Sequence, residues 1–196
     1  VSVTTPSTTT AETYPPDRAL DLPALAIGAD GFPVISYAEY DYSVYPETYY
    51  LKVAKCNDPA CSGGDETIST VDDSDNDVGR YTSIAIGADG LPVISYLDIT
   101  ARSLKVAKCN DPACAGGDET LTTVDDSASQ VGYGTSLAIG QNGLPVISYH
   151  DITAHSLKVA GCNDPACAGG DETITTVDDP ANLLGSYFTS IAIGTS

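Results

Sequence analysis

The sequence predicts an all-β fold made of tandem four-stranded antiparallel blades. The hexapeptide CNDPAC begins at Cys56, Cys109 and Cys162, so it recurs at intervals of 53 residues. The segments between these copies are rich in Val, Ile, Thr and Tyr, and their apolar residues lack helical spacing. A repeat of about 50 residues with four strands has the size of a β-propeller blade. We therefore expect a β-propeller-like array whose end units are incomplete.

The units are copies of one another, with a single insertion. Residues 91–126 and 144–179 differ at only four of 36 aligned positions, whereas the first unit carries six extra, Tyr-rich residues within 37–51. We expect this insertion to form a protruding loop or a lengthened hairpin. The predicted organisation is an N-terminal strand and Thr/Pro-rich linker at 1–23, repeats at 24–80, 81–133 and 134–187, and the first strand of a further unit at 188–196.

Turn signals define the elements of each unit, and the second copy is the clearest example. The sequence Ala88-Asp89-Gly90 predicts a tight hairpin, because Asp and Gly tolerate the positive φ of such turns. Pro92 stands near the start of a strand, where a missing N–H costs least. The predicted strands of this copy are 83–87, 91–98, 104–109 and 119–126.

The two ends of the chain predict unpaired strands. Residues 1–5 (VSVTT) resemble the last strand of a unit, and Ser190 to Gly194 (SIAIG) repeat a first strand. Closed propellers have about four or more blades, so three units cannot form a ring alone. Three interpretations remain open: a fragment of a longer propeller, a ring closed by several subunits, and a fibre of subunits joined head to tail.

The repeat itself is similar to known sequences. The motif GADGLPVISYLD followed by LKVAKCNDPAC, within residues 24–194, resembles the blade repeats of secreted bacterial propeller proteins. That resemblance implies blade architecture and export. It implies no particular activity, because propellers include enzymes, lectins and scaffolds.

Charge and composition restrict the possible partners. With 8 basic and 27 acidic residues the net charge is -19, which argues against nucleic acid and anionic membranes as partners. No apolar run approaches the roughly 20 residues that span a bilayer, so no membrane insertion is expected. The chain begins at Val1 and contains no Met, which suggests a processed, exported protein.

The cysteines predict three local disulfides rather than a metal centre. Asn-Asp-Pro-Ala between each pair favours a chain reversal that brings the two Cα atoms within bonding range. A structural zinc site needs about four converging ligands, and pairs on successive blades would lie apart. The predicted disulfides are Cys56 with Cys61, Cys109 with Cys114, and Cys162 with Cys167.

Oxygen donors beside each CNDPAC loop make calcium a possible cofactor. Calcium prefers six to eight oxygen ligands, and the neighbouring Gly-Gly would permit the necessary bend. The alternative is that these residues are solvated turn formers. The candidate ligands are Asn57, Asp58, Asp65 and Glu66, then Asn110, Asp111, Asp118 and Glu119, then Asn163, Asp164, Asp171 and Glu172.

Carboxylate pairs raise the question of catalysis. The Asp-Asp pairs that begin at Asp72, Asp125 and Asp178 could in principle serve as acid and base of a glycosidase. They recur at the same place in every unit, which favours a structural role over a single active site. We expect no enzymatic activity.

Tyrosines give two further hypotheses. Tyr37, Tyr96 and Tyr149 occupy one repeat position, which favours packing between sheets. In the insertion, exposed tyrosines could bind glycans, because each ring offers an apolar face and a polar tip. The candidate binding residues are Tyr42, Tyr45, Tyr49 and Tyr50.

Together these observations predict a non-enzymatic extracellular structural protein. We expect it to assemble with copies of itself into a surface polymer or filament, through strand pairing at residues 1–5 and 190–194. The leading alternative is a carbohydrate-binding, lectin-like module.

Overall fold

Three four-stranded antiparallel sheets follow one another along the chain. The computed structural model describes residues 23–41, 48–74, 77–127, 130–179 and 188–194. The first sheet contains β1 to β4 at Ala24–Ile27, Pro33–Asp41, Thr48–Lys55 and Thr67–Asp72. The second contains β5 to β8 at Val78–Ile86, Pro92–Asp98, Ser103–Lys108 and Thr120–Asp125. The third contains β9 to β12 at Tyr133–Ile139, Pro145–Asp151, Ser156–Gly161 and Thr173–Asp178.

Each sheet is a simple meander in which every strand pairs with the next one in sequence. The hairpin between β5 and β6 shows why. Gly90 takes a φ of 82°, and the Asp89 carboxylate accepts the backbone N–H of Leu91 at 3.1 Å. Gly31 and Gly143 adopt the same positive φ in the equivalent turns. The all-β prediction and its tandem four-stranded units are confirmed.

The first strand of the second unit is longer than predicted. It begins at Val78 rather than Ser83 and contains register shifts on both sides of Arg80. Gly79, with a φ of 90°, lies against the backbone of Leu51, where an added Cβ would stand 2.8 Å from the Leu51 Cα. A strand with such irregular pairing has no regular alternation of apolar and polar residues. The sequence pattern therefore did not predict where this strand begins.

The insertion in the first unit lengthens a hairpin. β2 and β3 continue beyond their counterparts, with Glu39 opposite Tyr50 and Tyr40 opposite Tyr49. The lengthened-hairpin alternative therefore describes the part of the insertion that the structure includes.

The hydrophobic cores lie between neighbouring sheets rather than within them. One cluster joins the first and second sheets through residues such as Val53 and Ile94, and the other joins the second and third through Val106 and Ile147. The first strands of the three sheets, β1, β5 and β9, are called the inner strands here. They adjoin in order, since β5 contacts both β1 and β9. Over the described residues the three sheets do not close into a ring. Within the same residues, no helix is long and apolar enough to cross a membrane.

Candidate functional site: the junctions between sheets

A buried polar contact joins the first sheet to the second. The Tyr96 hydroxyl on β6 donates to Asp72 Oδ2 at the end of β4, at 2.7 Å. Lys105 Nζ on β7 reaches the same oxygen at 2.7 Å. Tyr96 and Asp72 are almost fully buried, and the buried Asp72 carboxylate is paired with the Lys105 ammonium, as burial of a charge requires.

The same contact recurs 53 residues later between the second and third sheets. The Tyr149 hydroxyl donates to Asp125 Oδ2 at 2.7 Å, and Lys158 Nζ lies 3.3 Å from that oxygen. Lys158 also pairs with Asp151 of its own sheet at 3.2 Å. The Asp-Asp pairs that begin at Asp72 and Asp125 thus contribute junction residues, in agreement with a structural role.

Burial and hydrogen bonding set the charge states at these junctions. Burial alone would raise the pKa of Asp72, but hydrogen bonds from Lys105, Ser74 and Tyr96 hold it below its ordinary value. Burial, reinforced by the Asp72 charge, raises the pKa of Tyr96 well above its ordinary value. The carboxylate therefore stays ionised and the phenol stays neutral at ordinary pH. This pair is suited to a fixed contact, not to proton transfer.

A row of hydroxyls forms a second seam, which links β5, β9 and the segment 188–194 to the second strand of the preceding sheet. In each junction a Thr hydroxyl of one unit bonds a Ser hydroxyl of the preceding unit. These pairs are Thr82 with Ser36 at 2.7 Å, Thr135 with Ser95 at 2.7 Å, and Thr189 with Ser148 at 2.8 Å. The backbone N–H groups of Leu137 and Ile191 also donate to Ser83 and Ser136 of the preceding inner strand, at 3.0 and 3.1 Å.

All six cysteines form disulfides, in the pairs that the spacing predicts. The bonds are Cys56–Cys61, Cys109–Cys114 and Cys162–Cys167, with Cα–Cα distances of 5.0, 4.9 and 4.9 Å. The second and third disulfides belong to the cores between sheets. Cys114 and Cys167 are fully buried there, whereas Cys61, on the first sheet, is only half-buried. The second and third disulfides thus form part of the surface that a unit presents to its predecessor.

The calcium candidates do not converge. Asp58, Asp111 and Asp164 each use their carboxylates to accept the backbone N–H groups two and four residues ahead, at 2.6 to 3.0 Å. These bonds cap the disulfide turn, and those at Ala60 and Ser62 lower the pKa of Asp58. Within the described ranges, no three His, Cys, Asp or Glu side chains cluster as metal ligands do. The geometry therefore assigns a turn-forming role to Asp58, Asp111 and Asp164. Among the other candidates, the Asn57 and Asn110 side chains donate to the backbone carbonyls of Asp65 and Asp118 at 3.5 and 3.4 Å, and the carboxylates of Glu66, Glu119 and Glu172 each have a buried oxygen with no hydrogen-bond partner among the described residues.

The candidate glycan-binding tyrosines are only partly placed. Tyr42 and Tyr45 lie outside the described residues. The Tyr49 ring packs against Tyr40, with 4.9 Å between centroids, and the Arg80 guanidinium lies 3.9 Å from the Tyr49 centroid. Tyr50 is half-buried on β3. Tyr49 thus makes contacts within the chain.

An aromatic cluster on the inner strands escaped the sequence interpretation. The Tyr81 ring lies 5.5 Å from that of Tyr133 and 5.8 Å from that of Phe188. Tyr81 has a φ of 52°, a left-handed conformation that Gly134 adopts in the equivalent place, with a φ of 57°. Tyr81 and Gly134 are 53 residues apart, so a glycine occupies the equivalent repeat position. That glycine is the sequence feature that indicates a left-handed, strained backbone at Tyr81.

The outer face of the third sheet is open. Val177 on β12 is 57% exposed, although its equivalents Val71 and Val124 are 6% and 7% exposed beneath the following sheet. Asp178, equivalent to the buried Asp72, is also exposed. This surface has the composition of a junction.

The first sheet has a complementary open face. Leu25 on β1 is 58% exposed, whereas its equivalent Ile84 is 7% exposed. Tyr37 is half-buried where Tyr96 and Tyr149 are fully buried. Burial, with the Glu39 charge nearby, still raises the pKa of Tyr37. The tyrosine is therefore neutral and retains its proton to donate.

Comparison with known proteins identifies a fold and no family. No family model matches the chain, and no curated protein matches it. The structure is similar to the crystal structure of a protein of unknown function from Dyadobacter fermentans DSM 18053, with a TM-score of 0.62 and 12% sequence identity. The similarity covers 79% of this chain and 41% of that protein. At this identity the likeness concerns the fold alone.

Proposed function

We propose that the protein is a non-enzymatic extracellular structural protein that assembles with copies of itself into an open, propeller-like array of blades. The observation that carries this proposal is the pair of open faces at opposite ends of the three sheets. Val177 and Leu25 are exposed at positions that are buried inside the chain. Exposed apolar residues of this kind are typical of association surfaces.

The disulfides and the acidic composition support an extracellular setting. Three disulfides within one chain are typical of oxidising compartments, and no cysteine remains free. A net charge of -19 favours solubility of the single subunit. Assembly would then depend on the specific complementarity of the two faces, because general charge attraction between copies is absent.

Sedimentation velocity over a concentration series, together with negative-stain imaging, tests this proposal. We expect particle mass to rise with concentration and images to show linear arrays of regular repeat. A single species of one chain at up to about 1 mM would mean an association free energy weaker than about -4 kcal/mol. Such a result would contradict self-assembly as the function.

The aromatic cluster on the inner strands favours carbohydrate binding as a second candidate. Phe188 is 57% exposed, and Tyr81 and Tyr133 are half-buried beside it. Clustered aromatic faces of this kind suit the apolar face of a sugar ring. A glycan array would test this hypothesis, with Phe188→Ala expected to abolish binding and Phe32→Ala as the control. Equal signals from wild type and Phe188→Ala would contradict a role for the cluster.

A further inference from the structure

The segment 188–194 lies where the inner strand of a following unit would lie. We infer that this segment completes the first sheet of a second copy, pairing with that copy's β2 in place of its β1. Tyr37 and Lys52 of the second copy then bond Asp178 of the first. This inference rests on the proposed self-assembly and specifies its partner and contacts.

The position of the segment supports this assignment. The hydroxyls of Thr189 and Ser148 are hydrogen-bonded at 2.8 Å, and the Ile191 N–H donates to the Ser136 hydroxyl at 3.1 Å. These bonds repeat those that place β9 on the second sheet. Gln141 also donates to the Gly194 carbonyl at 2.8 Å. The segment is therefore already docked on the third sheet in the place of an inner strand.

The sequence of the segment matches a strand whose partner is known. Residues 189–194 read TSIAIG, identical to residues 82–87 at the end of β5. That part of β5 pairs with the PVISY sequence of β6, and β2 carries the same PVISY at 33–37. In β5 and β6, Ile84 lies opposite Ile94 and Ala85 lies opposite Val93. The same register between this segment and β2 of the second copy places Ile191 opposite Ile35 and Ala192 opposite Val34.

The strand that would be replaced is a weak one. β1 has four residues, compared with nine in β5. It reads PALAIG from Pro23, so Pro23 and Ala24 stand where the other inner strands have the Thr and Ser of the hydroxyl seam. Its side chains Leu25 and Ile27 are 58% and 56% exposed. The segment 189–194 supplies both hydroxyls, and the transferred register gives it the same four pairs that β1 makes with β2.

The exchange also completes the polar junction. A second copy paired in this register places its first sheet on the third sheet as the second sheet lies on the first. Tyr37 and Lys52 then face Asp178 as Tyr96 and Lys105 face Asp72. Lys52 pairs with Glu39 of its own sheet at 2.9 Å, and it can keep that contact, because Lys158 bonds Asp151 and Asp125 together.

The contact is heterologous, since a C-terminal face meets an N-terminal face. Each added copy presents a new segment 188–194 and a new Asp178, so growth can continue. Backbone pairing at an open strand edge supplies affinity, and the side-chain contacts select the correct partner. A second copy therefore fits this surface better than an unrelated peptide.

Backbone pairing is tested with Ala192→Pro. The Ile191 N–H points to Ser136, and successive N–H groups of a strand alternate in direction, so the Ala192 N–H points to the second copy. Proline removes that donor while leaving the bonds of Thr189 and Ile191 to the third sheet. We expect the concentration needed for assembly to rise about tenfold or more in sedimentation velocity.

The polar contact is tested by charge reversal between copies. Asp178→Lys and Lys52→Glu should each raise the assembly concentration about tenfold or more. Combining both substitutions in one chain should recover much of this loss, since the opposite charges meet only across two copies. Asp118→Lys, at an exposed loop position, is the matched control and should assemble as wild type. Unchanged urea midpoints and circular dichroism would show that the single chains still fold.

The outcomes separate this inference from the proposed function. If wild type assembles and both Ala192→Pro and Asp178→Lys assemble equally well, copies associate by another surface and the inference is wrong. Failure of the combined variant to recover would overturn the assigned polar contact. If wild type remains a single chain throughout, the proposed function itself is wrong.

Discussion

Removing one hydroxyl from a junction should reveal how tightly neighbouring sheets are coupled. The substitution is Tyr149→Phe, which keeps the buried ring and deletes only the donor to Asp125, at 2.7 Å. Hydrogen bonds to charged groups contribute about 1.5–3 kcal/mol. Asp125 keeps Lys158 at 3.3 Å and the Ser127 N–H at 2.9 Å. We therefore expect the free energy of unfolding to fall by about 2 kcal/mol.

Equilibrium unfolding in urea, at a concentration where the protein is a single chain, measures this loss. The repeat provides matched controls at equivalent positions. Tyr96→Phe deletes the same bond to Asp72 at 2.7 Å and should cost a similar amount. Tyr37→Phe lies on the open face of the first sheet and should change the unfolding midpoint little.

Two results would refute the reasoning. If Tyr149→Phe unfolds with wild-type energetics, the bond to Asp125 does not contribute to the junction. If Tyr37→Phe is as destabilising as the other two, the loss comes from the tyrosine within its own sheet. A double-mutant cycle with Asp125→Asn should give a coupling energy of at least about 1 kcal/mol.

Three further predictions concern acid, backbone strain and reduction. Since the pKa of Asp125 lies below its ordinary value, its contribution to stability is present above about pH 4 and is lost as pH falls through the folded pKa. The urea midpoint of the wild type should therefore fall in this acidic range, and the urea midpoint of Asp125→Asn should fall less. Gly132→Ala should destabilise by about 1–3 kcal/mol, because Gly132 has a φ of 89° and its Cβ would stand 3.0 Å from Leu104 Cα; a superimposable unfolding curve would contradict this. Mild reductant with alkylation and mass spectrometry should label half-buried Cys61 before buried Cys114, and the reverse order would be inconsistent with the described burial.

The sequence predicted most of the fold because its signals are local. Alternating β-branched residues and Asp-Gly turns such as Asp89-Gly90 determine strands and hairpins within a few residues. The beginning of β5 was missed because positive φ at Gly79 and Tyr81 interrupts the pairing there. Local patterns do not report such bulges.

The candidate site was harder to predict because its contacts cross unit boundaries. The recurrence of Tyr96 indicated packing, but its partner Asp72 lies 24 residues earlier and on another sheet. For Asp58 the sequence left calcium binding and turn formation open, because the residues that cap turns also bind calcium. Only the loop geometry distinguishes these roles. Asp, Tyr and Lys each recur at the same interval of 53 residues, and this shared recurrence is the sequence signal for the junction.

The fixed spacing of the junctions has a genetic consequence. The stretch CNDPACAGGDET occurs identically at 109–120 and 162–173, so misaligned recombination between such copies would gain or lose one whole unit. The new neighbours would still carry Asp, Tyr and Lys at the required positions, because every junction uses the same interval. Array length in this protein is therefore free to change in whole-unit steps without any compensating substitution.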